Sequence, residues 1–236
     1  MPHFPVTPAP EFDGKTGNGF WVDALAQMDS YTGELLDTVD KLGLKDNTIF
    51  IFTSDNGPEM TVPWTGWSSA WRGTYFTALE GSLRVPFIIR WPGKIPAGRV
   101  SNEIVHEMDL FTTLAGLVGG KVPTDRAIDG VDQSEFFFGK RENSERDGFV
   151  IYVGNHIFGV KWQNWKMMFK ELATGTGAVE QWSLPRIFNL YLDPKEEHAL
   201  SYAPSYYWVR WPAGKILTDH LVSLKKYPPI APGAPD

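Results

Sequence analysis

One run of residues limits the possible fold more than any other feature of the sequence. Residues 48–53 read Thr-Ile-Phe-Ile-Phe-Thr, an unbroken apolar, β-rich run. Such a run is typical of a strand buried on both faces of a parallel sheet. Residues 85–91 form a second run of this kind. Residues 23–42 carry apolar side chains at spacings of three and four, which predicts an amphipathic helix, and Gly43 follows at the left-handed C-cap position. We therefore expect an α/β layer that contains two parallel strands.

The second part of the chain has a different pattern. Tight connections, Gly154-Asn155-His156 and Gln163-Asn164, separate short apolar runs and predict antiparallel hairpins. The predicted strands cover residues 149–153, 157–162, 166–170 and 187–192. A helix is expected within residues 214–225, and another over residues 109–118 with Asp109 as its N-cap. We place the boundary near the charged stretch 140–147, which gives predicted domains 1–143 and 144–236.

Composition excludes several classes of function. A net charge of −6 argues against a nucleic-acid surface, which is normally basic. The chain has no Cys, so it can form neither a disulfide nor a thiolate metal site. No run approaches the roughly 18 apolar residues of a membrane span. The first residues lack the pattern of a signal peptide. We therefore expect either a cytosolic protein or a chain that starts downstream of its natural beginning.

The residues that end the first strand are candidate metal ligands. Asp55 and Asn56 follow the strand directly, and Gly57 allows the chain to turn. A carboxylate beside an amide oxygen at the carboxyl end of a strand suits calcium or magnesium. The same residue types also form ordinary Asx turns. His3 could donate to an anionic substrate or be merely solvated, and Arg72 could read an oxyanion or form a structural pair.

Several blocks, in this order along the chain, resemble the alkaline-phosphatase-like sulfatases. They cover nearly the whole chain and are Pro2-His3-Phe4-Pro5, Leu42-Gly43, Thr53-Ser54-Asp55-Asn56-Gly57-Pro58-Glu59, Glu80-Gly81-Ser82-Leu83-Arg84-Val85-Pro86-Phe87, Trp91-Pro92-Gly93, Asp109-Leu110-Phe111-Thr112-Thr113-Leu114 and Phe188-Asn189-Leu190-Tyr191 with Asp193-Pro194. The resemblance implies a partial alkaline-phosphatase-like αβα sandwich, followed by a small C-terminal domain of antiparallel sheet plus helix.

The resemblance also implies an activity, the hydrolysis of a sulfate ester. In that family a divalent cation, usually calcium, is held by two early Asp residues and a late Asp-Asn pair, which Asp55 and Asn56 match. His3 matches a histidine that contacts the sulfate ester. The family's nucleophile is a formylglycine made from Cys, or sometimes Ser, and metal and basic residues stabilise charge on the oxygens.

The sequence departs from the family pattern in three places. There is no Cys, and the formal match Ser68-Ser69-Ala70-Trp71-Arg72 follows the metal strand, whereas the family motif precedes it. The early Asp pair has no counterpart. The Lys that usually precedes the Glu-Gly block is missing, so that Arg72 could replace it. We therefore expect the C-terminal portion of a sulfatase, inactive alone.

Two other functions remain open at this stage. A phosphohydrolase of the same superfamily would share the metal and the fold, and a non-catalytic binding protein would reuse the cleft without chemistry. The expected partners are a sulfate-ester substrate and either the missing N-terminal half or a second copy of the chain. A full-length parent is expected to be periplasmic or secreted.

Overall fold

The computed structural model describes residues 2–200 and 203–229, which form two compact units. Unit 1 contains the described residues of Met1–Ala97 together with Glu171–Glu180 and Pro194–Glu196. Unit 2 contains Gly98–Lys170, Gln181–Asp193 and the described residues of Glu197–Asp236. This division differs from the predicted domains, whose boundary at 143/144 lies inside unit 2, and the domain prediction stays a prediction. No helix among the described residues is long and apolar enough to cross a membrane.

Unit 1 is built from two helices and two short strands. They are α1 (Phe20–Lys41), β1 (Phe50–Thr53), α2 (Glu80–Leu83) and β2 (Phe87–Arg90), with a 3-10 turn at Lys45–Asn47. The helix α1 ends as predicted: Leu42 is the C-cap, and Gly43 follows with a φ of 69°. Glycine adopts this left-handed conformation without the steric penalty of other residues.

The loop before α1 is tied to the helix by a buried carboxylate. Asp23 accepts hydrogen bonds from Gly14 N (2.9 Å), Thr16 N (2.9 Å) and Thr16 Oγ1 (2.6 Å). Bonds from Thr16 above all, and from Gly14, hold the pKa of Asp23 below its ordinary value despite burial. The N-terminal loop is therefore ordered by α1.

The two strands of unit 1 are antiparallel, so the prediction of parallel strands is wrong. Thr53, at the end of β1, pairs with Phe87, at the start of β2. The chain thus re-enters the sheet at the end where it left. The connecting segment, residues 54–86, therefore begins and ends at the same end of the sheet, whereas a parallel connection would carry the chain back along it.

Much of the apolar surface of unit 1 is uncovered. Every residue of β1 is only partly buried, and within the described residues β1 pairs with β2 alone. The only fully buried residue of α1 is Asp23. Leu35 is 60% exposed and Ile88 is 62% exposed. Exposed apolar faces next to an unpaired strand edge are typical of surfaces that meet another chain segment.

Unit 2 is an antiparallel sheet with helices. The sheet order is β3-β4-β5-β6, with the predicted hairpins β3–β4 and β4–β5 confirmed by their registers. Its elements are α3 (Glu107–Leu117), α4 (Ser134–Phe137), β3 (Gly148–Val153), β4 (His156–Trp162), β5 (Trp165–Leu172), β6 (Val179–Asn189), a 3-10 helix (Pro204–Val209) and α5 (Arg210–Lys226). The last two residues of β5 and the first two of β6 are counted with unit 1. A core that includes Val160, Ile187 and Val209 joins the sheet to the 3-10 helix and α5.

Two helix starts in unit 2 differ from the predictions. The N-cap of α3 is His106, and Asp109 is the third residue of the helix, where its carboxylate accepts from His106 N (2.9 Å). This reciprocal arrangement is a capping box, so the prediction of Asp109 as N-cap is wrong. The helix α5 begins at Arg210, which places Pro212 in its first turn. Proline is tolerated there because the first N–H groups of a helix have no partner within it.

The buried carboxylate of Asp109 is the centre of a polar network. It accepts from Arg146 Nε (2.9 Å), Val131 N (2.9 Å) and Gln133 Nε2 (3.3 Å). Burial alone would raise the pKa of Asp109, but the hydrogen bonds from Arg146, Val131 and His106 and the Arg146 charge hold it below its ordinary value. The network joins α3 to the segment that leads into β3.

Candidate functional site at the end of β1

The turn after β1 carries the two predicted metal ligands. Ser54 is buried, whereas Asp55 and Asn56 are exposed. Asp55 Oδ1 accepts from Asn56 N (3.0 Å) and Ser54 Oγ (3.3 Å), and Asn56 Nδ2 donates to Gly57 O (2.9 Å). These bonds are those of an Asx-type turn. They leave Asp55 Oδ2 and Asn56 Oδ1 without a hydrogen bond from another residue in the described part of the chain.

Gly57 pins this turn against α2. Its N–H donates to Ser82 O (2.9 Å). A Cβ at position 57 would lie 1.8 Å from Gly81 O and 2.9 Å from Ser82 Cα. Because both obstacles are backbone atoms, only a glycine allows this approach. The position of Asp55 and Asn56 is therefore set by a rigid backbone contact one residue away.

The donor set of the turn suits a hard cation but does not complete its shell. A carboxylate oxygen and an amide oxygen are ligands that calcium accepts, and calcium takes six to eight oxygens. Among residues 2–200 and 203–229, no group of three or more His, Cys, Asp or Glu side chains is arranged to hold a metal ion. Asp55 and Asn56 could therefore supply two ligands, and the remaining oxygens would come from water or from other protein segments.

His3 also lies in unit 1, and it is exposed. Its Nδ1 lies 2.7 Å from Phe4 O, and its ring stacks on the Phe4 ring at a centroid distance of 5.0 Å. Phe4 in turn stacks on Trp64 at 6.5 Å. No hydrogen bond joins His3 to Asp55 or Asn56 within the described residues, so the predicted substrate role of His3 stays a prediction.

Arg72 has its guanidinium engaged by protein groups. Nη1 donates to Glu171 Oε1 (2.8 Å), Nε donates to Lys195 O (2.9 Å) and Nη2 donates to Glu196 O (3.0 Å). All three contacts lie within unit 1. They attach residues 171 and 195–196 to the loop that follows the candidate metal site. This geometry favours a structural role, and the catalytic role of Arg72 remains an untested prediction.

Two other arginines of unit 1 form structural pairs. Arg84 Nε donates to Glu80 Oε2 (2.6 Å), and the Arg84 guanidinium lies over the Trp71 ring at 4.8 Å. Arg90 Nη2 donates to both carboxylate oxygens of Asp40 at 2.9 Å. Neither arginine is placed to hold a substrate while these pairs persist.

Glu59 organises the loop behind the turn, and the sequence analysis assigned it no role. It is 6% exposed and its Oε1 accepts from Met60 N (2.9 Å), Thr61 N (2.9 Å) and Thr61 Oγ1 (2.6 Å). Burial would raise the pKa of Glu59, but bonds from Thr61, Tyr75 and Met60 hold it below the ordinary value. Burial, followed by the Glu59 contact, raises the pKa of Tyr75. The feature of the sequence that could have identified Glu59 is its position directly after the Gly57-Pro58 turn.

The formal nucleophile motif is part of the same loop. Ser68 Oγ donates to Trp71 O (2.6 Å) and lies 3.3 Å from Gly73 O. A serine hydroxyl that donates to a backbone carbonyl is not activated by a general base. The geometry thus supports the interpretation of Ser68–Arg72 as a coincidental match.

Comparisons with known proteins give matches over most of the chain. A family model described as "Sulfatase" matches residues 3–120, and one described as "N-sulphoglucosamine sulphohydrolase, C-terminal" matches residues 74–220. The chain is 31% identical to Arylsulfatase D of Homo sapiens, over 96% of this chain and 43% of that protein. It is 34% identical to N-acetylgalactosamine-6-sulfatase of Mus musculus, over 87% of this chain and 44% of that protein.

Solved sulfatase structures also match most of the chain. The crystal structure of PsFucS1 sulfatase from Pseudoalteromonas sp. superposes with a TM-score of 0.88 and 32% identity, and the match covers 97% of this chain and 48% of that one. A Bacteroides thetaiotaomicron structure, described in connection with the metabolism of multiple glycosaminoglycans, gives a TM-score of 0.77 and 29% identity, over 93% of this chain and 48% of that one. The chain therefore spans about half the length of the relatives it matches.

Proposed function

Because the chain belongs to the sulfatase family, we propose that it supplies part of the catalytic site of a sulfuric ester hydrolase. The observation that carries the proposal is the turn after β1. Asp55 and Asn56 are both exposed there, each with an oxygen that no described protein group occupies, and Gly57 fixes the turn against α2. The carboxyl end of a strand is where α/β folds bind ligands.

In this proposal Asp55 and Asn56 hold calcium, with magnesium as the alternative ion. A bound divalent cation neutralises charge that develops on the ester oxygens. The role of Asp55 is to supply an anionic oxygen and that of Asn56 a neutral one. His3, exposed and stacked on Phe4, would donate a hydrogen bond to an oxygen of the sulfate ester.

The described residues do not fit a formylglycine nucleophile. The chain has no Cys, and Ser68 donates to a backbone carbonyl. We therefore derive no covalent step from this chain. The proposal is that hydrolysis needs a nucleophile and further metal ligands from a segment outside these 236 residues, provided in the same polypeptide or by a second chain.

Calorimetry with calcium tests the metal site. With only two protein ligands we expect an affinity of about 1 mM, as in weak calcium sites. The binding should disappear in Asp55→Ala and persist in Asp37→Ala, which removes an exposed carboxylate from α1. A tight site lost in Asp55→Ala would mean that other carboxylates complete the shell, and binding that survives Asp55→Ala would refute the assignment.

Reconstitution tests the activity. The purified chain should not hydrolyse an aryl sulfate above background in the presence of calcium. Mixing it with the portion of PsFucS1 that it does not match should restore calcium-dependent hydrolysis, and Asp55→Ala should abolish this. Hydrolysis by the chain alone that disappears in Ser68→Ala would show that Ser68 is a nucleophile and that the proposal is wrong.

A further inference from the structure

Unit 2 contains a polar cavity that the sulfatase proposal does not use. Its volume is about 250 Å³. It forms where residues 102–104, residues 143–147, the β4–β5 turn and Tyr191 meet. Pockets for drug-sized ligands measure about 300–1,000 Å³, so this one suits a smaller ligand. We propose that the cavity binds one uncharged sugar ring of a glycan. The inference is independent of any hydrolytic activity.

The walls of the cavity are joined to one another by hydrogen bonds. Ser144 N donates to Glu103 Oε2 (2.9 Å), which connects the first two segments. Gln163 N donates to Asp147 O (2.7 Å), which connects the second segment to the β4–β5 turn. The cavity is therefore a built site whose shape does not depend on a ligand, and preorganised sites bind with a smaller loss of conformational entropy.

The rim that carries Tyr191 is held by the amide side chain of Asn189 and by one backbone bond. Asn189 Oδ1 accepts from Asn164 Nδ2 (3.2 Å) and from Tyr191 N (3.0 Å). Leu190 N also donates to Asn164 O (2.8 Å). These bonds fix the backbone at Tyr191 beside the β4–β5 turn, while the residue remains 68% exposed. An exposed tyrosine at the edge of a polar cavity offers an apolar ring face together with a hydroxyl.

The side chains that face the cavity match the chemistry of sugar hydroxyls. A hydroxyl both donates and accepts, and an amide side chain offers two donors and an acceptor. Three lining amides, Asn102, Asn143 and Gln163, make no side-chain hydrogen bond to another residue in the described part of the chain. Gln163 also has a φ of 50°, because it is the first residue of the two-residue β4–β5 turn, where the common hairpin turns need a positive φ. The site therefore offers three amide groups that no described residue occupies.

The charge of the cavity favours a neutral ligand. The lining contains Arg146, Glu103 and Asp147. Arg146 is paired with Asp109, since its Nε lies 2.9 Å from Asp109 Oδ2, and this leaves the two carboxylates as the net charge. A sulfated or carboxylated sugar would be repelled.

Saturation-transfer NMR and calorimetry on the complete 236-residue chain test the proposal. The probes are galactose, N-acetylgalactosamine and N-acetylgalactosamine 6-sulfate. A neutral monosaccharide should bind with a Kd of about 1 mM, from its size and ordinary ligand efficiency. The 6-sulfate should bind at least about threefold more weakly at low salt. The proposal is overturned if neither neutral sugar binds at concentrations up to about 20 mM. It is also overturned if the 6-sulfate binds as tightly as the neutral sugars.

Two pairs of variants locate the binding. Asn143→Ala and Tyr191→Ala remove groups on different walls of the cavity and should each weaken neutral-sugar binding at least about fivefold. Asn155→Ala and Tyr227→Ala change exposed residues of the same types outside the cavity and should leave binding unchanged. Thermal melting checks that each variant folds. If Tyr191→Ala does not fold, the result for Asn143→Ala decides the test alone. Binding that is insensitive to Asn143→Ala and to every folded Tyr191 variant would refute the assignment.

Discussion

Replacing Gly57 by alanine should destabilise the chain strongly, and the structure gives the size of the effect. The new Cβ would lie 1.8 Å from Gly81 O and 2.7 Å from Gly81 C. Both are backbone atoms, so the turn after β1 must separate from α2. Overpacking of this kind costs about 1–3 kcal/mol. Separation also removes the bond from Gly57 N to Ser82 O (2.9 Å), worth about 1 kcal/mol. We expect the free energy of unfolding to fall by about 2–4 kcal/mol.

Urea denaturation followed by tryptophan fluorescence measures the change. Gly33→Ala is the matched control: Gly33 lies within α1, and a Cβ there meets no atom within 4 Å. Alanine in a helix is more favourable than glycine by about 0.5–1 kcal/mol, so Gly33→Ala should stabilise the chain. If Gly57→Ala changes the unfolding free energy by less than about 0.5 kcal/mol, the rigid contact between the turn and α2 does not exist as described.

Three further predictions follow from other features. The uncovered face of unit 1 should cause self-association, measured by light scattering. Ile88→Lys and Leu35→Lys should reduce it, because full burial of each apolar side chain contributes about 1.5–3 kcal/mol. A monodisperse monomer with strong amide protection in β1 would contradict this. Arg72→Lys should lower the unfolding free energy by about 1–2 kcal/mol, because a lysine lacks the guanidinium that binds Glu171 and two backbone carbonyls. An unchanged denaturation curve would contradict the structural role. The pKa of Asp109 is depressed in the folded chain, so its ionised carboxylate stabilises the fold above the unfolded-state pKa of about 4, and this contribution should disappear as the pH falls further. Asp109→Asn should flatten the acid limb of the curve of unfolding free energy against pH, and an unaltered limb would refute the assignment.

Features set by local sequence were predictable. The apolar spacing of α1 and the left-handed Gly43 depend on neighbouring residues alone, and both are present in the structure. The hairpin turns of unit 2 were predicted for the same reason. In contrast, the direction of β2 relative to β1 depends on the path of the long connection between them, and no local pattern specifies that path.

In the candidate site, too, local sequence predicts some residues and not others. The position of Asp55 and Asn56 after an apolar run made them candidates, the family resemblance favoured them over an ordinary Asx turn, and they are exposed at the end of β1. The partners of Arg72 were not predictable, because Glu171 is 99 positions away in the sequence. A single sequence shows no pairing at that separation. The role of Glu59 was missed because a carboxylate in a loop has no periodic pattern, although its bonds to Thr61 are local.

Because unit 1 is built from separate stretches of the chain, it can be completed only late in synthesis. Besides the bond of Arg72 to Glu171, its N-terminal part depends on a bond from Glu80 N to Glu196 Oε2 (2.7 Å), across 116 positions. A ribosome that has completed residue 97 must add about 100 more residues before Glu196 is even synthesised, which takes roughly 5–20 s at ordinary elongation rates. During that interval the nascent unit 1 exposes its apolar face without these two anchors. Cleavage of the ribosome-bound chain by a protease within residues 72–80 should therefore be fastest in this window and slow down once residue 196 has left the exit tunnel.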